Sequence, residues 1–108
     1  MDAFDFNAMQ AIQKELQAKY FDQWGGLCPR KGRDSLLWAI IEAGEVADVI
    51  KKEGDEAIME DPEIRQHFVE EFCDVMMYLN DLCLCYGITP EEIEKTYKEK
   101  HARNMQRW

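Results

Sequence analysis

Apolar residues recur along this chain at helical spacing. From Asn7 to Gln23, Met9, Ile12, Leu16 and Tyr20 fall three and four residues apart, which places them on one face of an α-helix. The same period returns three more times. A second helix is predicted to follow Asp34-Ser35, either of which can cap it, and to stop at Gly54 in a left-handed turn. A third starts at Asp61-Pro62, a cap followed by proline at the first helical position, and runs to Gly87. The fourth opens on Thr89-Pro90-Glu91-Glu92, a capping box from Thr89 to Glu92, and continues nearly to Trp108. Gly25-Gly26, Pro29 and Gly32 read as one loop, and Asp55 to Glu60 as a charged connection of about one helical turn. No strand-like alternation, internal repeat or low-complexity linker interrupts this pattern. Four helices with short links predict an all-α fold with a four-helix bundle core.

Composition bounds the picture further. The 108 residues suffice for one domain, residues 1–108, and 46% apolar content supports a packed core rather than disorder. Against 22 acids stand 13 Lys and Arg, a formal charge of -9. Such a chain repels nucleic acid and anionic lipid, so neither is expected as a partner. No apolar run reaches the roughly 20 residues that span a bilayer. The segment from Met1 to Asp5 lacks the basic and apolar regions of a signal peptide, and a cytoplasmic location is expected. Cys28, Cys73, Cys83 and Cys85 form no C-x-x-C pair. Cys73, Cys83 and Cys85 sit in an apolar helical pattern, so buried free thiols are expected.

Four acids stand where water is not expected. Glu42 and Glu45 are three residues apart on the second predicted helix, in a stripe with Trp38, Val46 and Val49. Glu71 and Asp74 repeat the spacing on the third, in a stripe with Phe68, Val75 and Tyr78. Residues so spaced share a helix face, so each acid pair is expected to point inward. Two like charges about 4 Å apart repel by about 4 kcal/mol at an effective dielectric of 20. If the two faces meet, four carboxylates converge, and a hard divalent cation relieves them. Oxygen-only ligation favours Mg²⁺, with Mn²⁺ a substitute. A carboxylate-bridged iron site wants Glu-x-x-His on two helices, whereas His67 follows Glu63 by four and His101 follows Glu99 by two. The competing reading is ordinary surface charge beside the core stripe. Gly44, beside these acids, marks either close helix packing or room for a ligand. Asp48 continues their spacing as a further ligand or as the partner of Lys52 one turn on.

These residues resemble a known family. The stretch Leu37-Trp38-Ala39-Ile40-Ile41-Glu42-Ala43-Gly44-Glu45-Val46-Ala47-Asp48 is similar to the first motif of the MazG-like nucleotide pyrophosphohydrolases, in the all-α NTP pyrophosphatase superfamily. Glu70-Glu71-Phe72-Cys73-Asp74-Val75 resembles its second, E-x-x-D motif. Ile41 stands where many relatives carry a first acid. The resemblance, which spans about Leu36 to the C-terminus, implies a Mg²⁺-dependent hydrolase that cleaves a nucleoside triphosphate to the monophosphate and pyrophosphate. It implies that Glu42, Glu45, Glu71 and Asp74 hold the metal, and that the chain assembles as a homodimer or homotetramer. Clearing of non-standard nucleotides, or hydrolysis of phosphoribosyl-ATP, lies within the same reaction type.

The C-terminal segment bears on the same reading. From Lys95 to Trp108 there are five Lys and Arg and one acid. Lys100, Arg103, Asn104 and Arg107 share a helical face, and cations there suit a bound triphosphate; favourable charge at a helix C-terminus explains them equally. In relatives a Lys and an Asn near the C-terminus contact phosphate, and Lys100 and Asn104 look like their counterparts. Tyr78 lies one turn beyond Asp74 and matches a ligand-contacting tyrosine in some relatives. Trp24 and Trp38 are either core or stacking surfaces for a base. The loop with Arg30, Lys31 and Arg33 is a lid over substrate or a basic connector. A non-catalytic helical interaction module with structural acids is the rival class.

Overall fold

In the computed structural model, which describes residues 3–108, every regular element is a helix. Met1 and Asp2, part of the segment read for a signal peptide, lie outside the described residues. The elements are α1 (Phe6–Lys19), α2 (Phe21–Trp24), α3 (Pro29–Glu53), α4 (Asp55–Glu60), α5 (Pro62–Tyr86) and α6 (Pro90–Arg107). None is long and apolar enough to cross a membrane.

Most boundaries follow from local chemistry. Asp5 caps α1 by accepting the Ala8 N–H at 3.0 Å, and Asp61 caps α5 through the N–H groups of Glu63 and Ile64, with Pro62 at the first helical position. Thr89 and Glu92 form the expected capping box of α6. Gly87 ends α5 in the left-handed region at φ 67°, and the Ile88 N–H closes the turn on the Cys83 carbonyl at 2.8 Å.

Two boundaries differ from the sequence expectation. The first predicted helix breaks at Tyr20 into α1 and the one-turn α2, which Gly25 ends at φ 76°. The connection from Asp55 to Glu60, read as about one helical turn, is the six-residue α4 and buries Ile58. The second predicted helix begins at Pro29, about five residues before Asp34-Ser35. Its cap, Cys28, makes no side-chain hydrogen bond. Arg30, Lys31 and Arg33 bring positive charge to the positive end of the helix dipole, so local signals favour a later start. Gly32 therefore lies inside α3, where it is buried. A Cβ there would meet the Tyr86 ring at 2.3 Å, so this position requires a residue without a side chain for the two helices to approach.

That contact also sets direction. Gly32 near the start of α3 meets Tyr86 at the end of α5, Trp38 stacks on Tyr78, and Glu42 meets Glu71 and Asp74. The two 25-residue helices therefore run antiparallel, side by side for about 37 Å. The α4 turn closes this hairpin against both helices, and α1 packs along α5.

The fourth long helix does not join them. Among the described residues α6 approaches the rest at its first turns, where Pro90, Ile93 and Tyr97 face Phe6 and Asn7 of α1 across a cavity. Beyond Ile93 every residue of α6 is exposed. The structure is all-helical, and among the described residues the fourth long helix does not pack along the other three. The physical reason is composition, because the rest of α6 is too polar to bury a stripe.

The remaining helices also leave much apolar surface open. The buried apolar residues among those described are Ala39, Val49, Ile58 and Cys85. Trp38, Ile40, Phe72 and Met77 are exposed. Cys28 and Cys73 are exposed and Cys83 is half-buried, so of the thiols expected in the core only Cys85 lies there. The accessible surface of 8487 Å² compares with about 6,200 Å² for a compact monomer of this mass. The radius of gyration, 16.4 Å, compares with about 13 Å.

Candidate metal centre and adjoining cavity

Halfway along the α3–α5 pair, Glu42 of α3 faces Glu71 and Asp74 of α5. One carboxylate oxygen from each lies within 4.8 Å of the others. Helix periodicity explains the convergence: Glu71 and Asp74 are three apart on one face, and Glu42 sits at the matching level of the antiparallel partner. Glu45, the fourth predicted acid, is exposed one turn further along α3 and stands outside this group. It still acts on it. The Glu42 carboxyl is held above its ordinary 4.5, first by burial, then by the charges of Asp74 and Glu71, and last by Glu45.

The basic groups nearby do little to relieve this charge. Lys52 is engaged with Asp48 at 2.9 Å, so Asp48 is an ion-pair partner. His67 Nε2 lies 3.7 Å from Glu71 Oε1, a contact outside the Glu-x-x-His pattern because the acid follows the histidine. The three converging donors are all carboxylate oxygens, the set that hard divalent cations take. Carboxylate donors suit Mg²⁺, Ca²⁺ and Mn²⁺. A Cβ on Gly44 would meet nothing within 4 Å; the residue is exposed on α3, and among the described residues no helix packs there.

A cavity of about 520 Å³ opens beside the acids, with Asp74 in its wall. Its volume is within the range of small-molecule sites. Tyr78, predicted as a ligand contact, lines it and stacks on Trp38, ring centroids 6.4 Å apart at 23°. Burial raises the Tyr78 hydroxyl above its ordinary value, and the charges of Glu42, Asp74 and Asp81 add to this. Trp24 and Lys31 belong to the wall as well, and the Lys31 ammonium donates to the Trp24 carbonyl. The basic segment that opens α3 therefore borders the cavity through Lys31.

The other predicted contacts lie elsewhere. Lys100, Arg103 and Asn104 are exposed on α6 and do not line this cavity. Sequence reasoning missed Gln13 of α1 and Asp81 of α5, both buried and both in the cavity wall. Gln13 Nε2 donates to Asp81 Oδ1 at 2.9 Å. A signal existed: Asp81 follows Asp74 by seven, on the stripe that carries Tyr78, and Gln13 interrupts the apolar face of Met9, Ile12 and Leu16.

Compared with protein-family models, curated proteins and solved structures, the chain matches none.

Proposed function

We propose that the chain is a metal-dependent nucleoside triphosphate pyrophosphohydrolase of MazG-like type, releasing pyrophosphate and a nucleoside monophosphate. The observation that carries this reading is the meeting of Glu42, Glu71 and Asp74 within 4.8 Å, beside a cavity lined by Asp74 and the Trp38–Tyr78 pair. The acids that meet there come from the two sequence motifs.

In this proposal Glu42, Glu71 and Asp74 hold Mg²⁺ or Mn²⁺, with Glu45 completing the set from the next turn of α3. Bound there, the cation supplies charge neutralisation for phosphate oxygens and acidifies a water. One carboxylate of the set accepts the water's proton. Tyr78 and Trp38 bound the space for the sugar and base. Lys100, Arg103 and Asn104 contact the phosphates from a second copy of the chain, because α6 stands away from the acids of its own chain.

The assembly is proposed to be a homodimer or homotetramer whose helices complete four-helix packing between copies. Support comes from the surplus of about 2,000 Å² over a compact monomer, against about 800 Å² per partner in a standard interface. Sedimentation at micromolar concentration is expected to give two or four copies.

The deciding experiment incubates the full chain with a panel of triphosphates and Mg²⁺, scoring pyrophosphate separately from phosphate. Pyrophosphate release that needs the metal and is lost in Asp74→Ala is the expected result. No release from any triphosphate, or release at the wild-type rate by both Asp74→Ala and Glu45→Ala, rejects the site.

A further inference from the structure

The cavity has a far end that the hydrolysis itself leaves unused. Along α5, Asp74, Tyr78 and Asp81 fall on one face, with Asp81 about 10 Å further along the axis than Asp74. All three line the cavity. Asp81 is only 7% exposed, yet among the described residues no cation pairs with it. What holds it is neutral: Gln13 Nε2 donates to Oδ1 at 2.9 Å. Burial raises the Asp81 carboxyl above its ordinary 3.8, and the amides of Gln13 and Gln17 work against that rise. The one lysine in the wall, Lys31, is turned to the Trp24 carbonyl.

A carboxylate has about four lone-pair sites and no proton to donate. With the Gln13 amide engaged on Oδ1, the ionised Asp81 keeps acceptor capacity in the cavity wall. Between it and the acid cluster, Trp38 stacks on Tyr78 and leaves 48% of its own surface open, enough for a flat ring to lie against.

We propose that this end of the cavity receives nucleobases that carry an exocyclic amine, the amine donating to Asp81 and the ring lying against Trp38. The inference rests on the nucleotide reading of the site and adds its substrate class. Cytosine and adenine present the required donor. Uracil and hypoxanthine present a carbonyl in its place, which sets lone pairs against a carboxylate. A site built to hydrogen-bond one group rejects the analogue lacking it more strongly than any apolar contact does, because its buried polar atoms are left unpaired.

The test is direct binding, which needs no turnover. The full chain is titrated calorimetrically with dCMP against dUMP, and with AMP against IMP. The amine member of each pair is expected to bind at least tenfold more tightly. Asp81→Asn, checked for helicity by circular dichroism, is expected to bring both ratios towards one; the wild-type comparison decides whether or not that variant folds. Equal affinities, tighter binding of dUMP or IMP, or no binding of any of the four overturns the inference. Equal affinities with intact pyrophosphate release leave the hydrolase standing, whereas amine preference without hydrolysis of any triphosphate rejects the hydrolase and keeps the base site.

Discussion

The middle of the α3–α5 hairpin and the C-terminal α6 are both densely charged helix surfaces, and different physics holds each in place. In the hairpin, two packed long helices bring one carboxylate oxygen each of Glu42, Glu71 and Asp74 within 4.8 Å of the others, so the charges are placed by packing against their own repulsion. In α6, no such packing exists beyond the first turns, and the helix is specified locally by its capping box and by the Lys98–Glu94 ion pair at 2.8 Å. Charge held by packing is costly and confined to a cavity edge. Charge on a solvated helix costs little and is free to meet another molecule. The difference teaches which charges the fold of one chain brings together and which it leaves in solvent.

The largest expected effect breaks the hairpin side of this contrast. Asp74→Ala lowers metal-dependent kcat/KM by about 100-fold or more, the scale on which groups that stabilise transition-state charge act. The metal-free variant melts no lower than the wild type, since a mutually repelling acid has been removed. A collapse of its metal-free melting temperature would mean that the acids are structural.

Thr89→Ala addresses α6. Loss of its cap costs about 1 kcal/mol, and amide exchange should show it as lost protection confined to the first turns of α6. A fall in the melting temperature of the whole protein would instead place α6 within a packed assembly.

Gly44→Ala asks whether α3 is covered. In an uncovered helix it stabilises by up to ~1 kcal/mol through helix propensity alone, since among the described residues nothing lies within 4 Å of a Cβ there. Chemical denaturation that finds a loss, together with a shift towards smaller species, places a second copy against this face.

The smallest effect is on pH. Glu42 titrates above its ordinary 4.5 in the folded chain, so between that value and its raised one the folded state binds more protons than the unfolded state. Stability then falls as pH rises through this window. Thermal melts of the metal-free protein should therefore improve on mild acidification from neutrality. In excess Mg²⁺ the trend should reverse, because protons compete with the cation for the same oxygens.

Where neighbours a few residues apart decide the outcome, sequence and structure agree. The capping box at Thr89, the Asp61-Pro62 start and the Gly87 stop are all legible, because each is closed by hydrogen bonds spanning a few residues. The Asp48–Lys52 pair follows the same local rule. The start of α3 is not legible, because its first turn carries basic residues and its cap, Cys28, lacks a capping hydrogen bond. The exposure of Cys73 is equally hidden, because an apolar stripe identifies a face without saying what covers it.

The same division runs through the site. Spacing alone determined that Glu42 with Glu45, and Glu71 with Asp74, would share helix faces, since a 3.6-residue period is a property of the backbone. Only the tertiary structure decided that Glu42 rather than Glu45 meets the α5 acids, because that depends on the level at which two antiparallel helices dock. It alone brought Gln13, sixty-eight residues away in the chain, onto Asp81, and it alone left α6 standing in solvent. Local sequence encodes direction around a helix; the meeting of distant helices depends on packed volumes, such as the missing side chain at Gly32 that admits Tyr86, and no single segment carries that information.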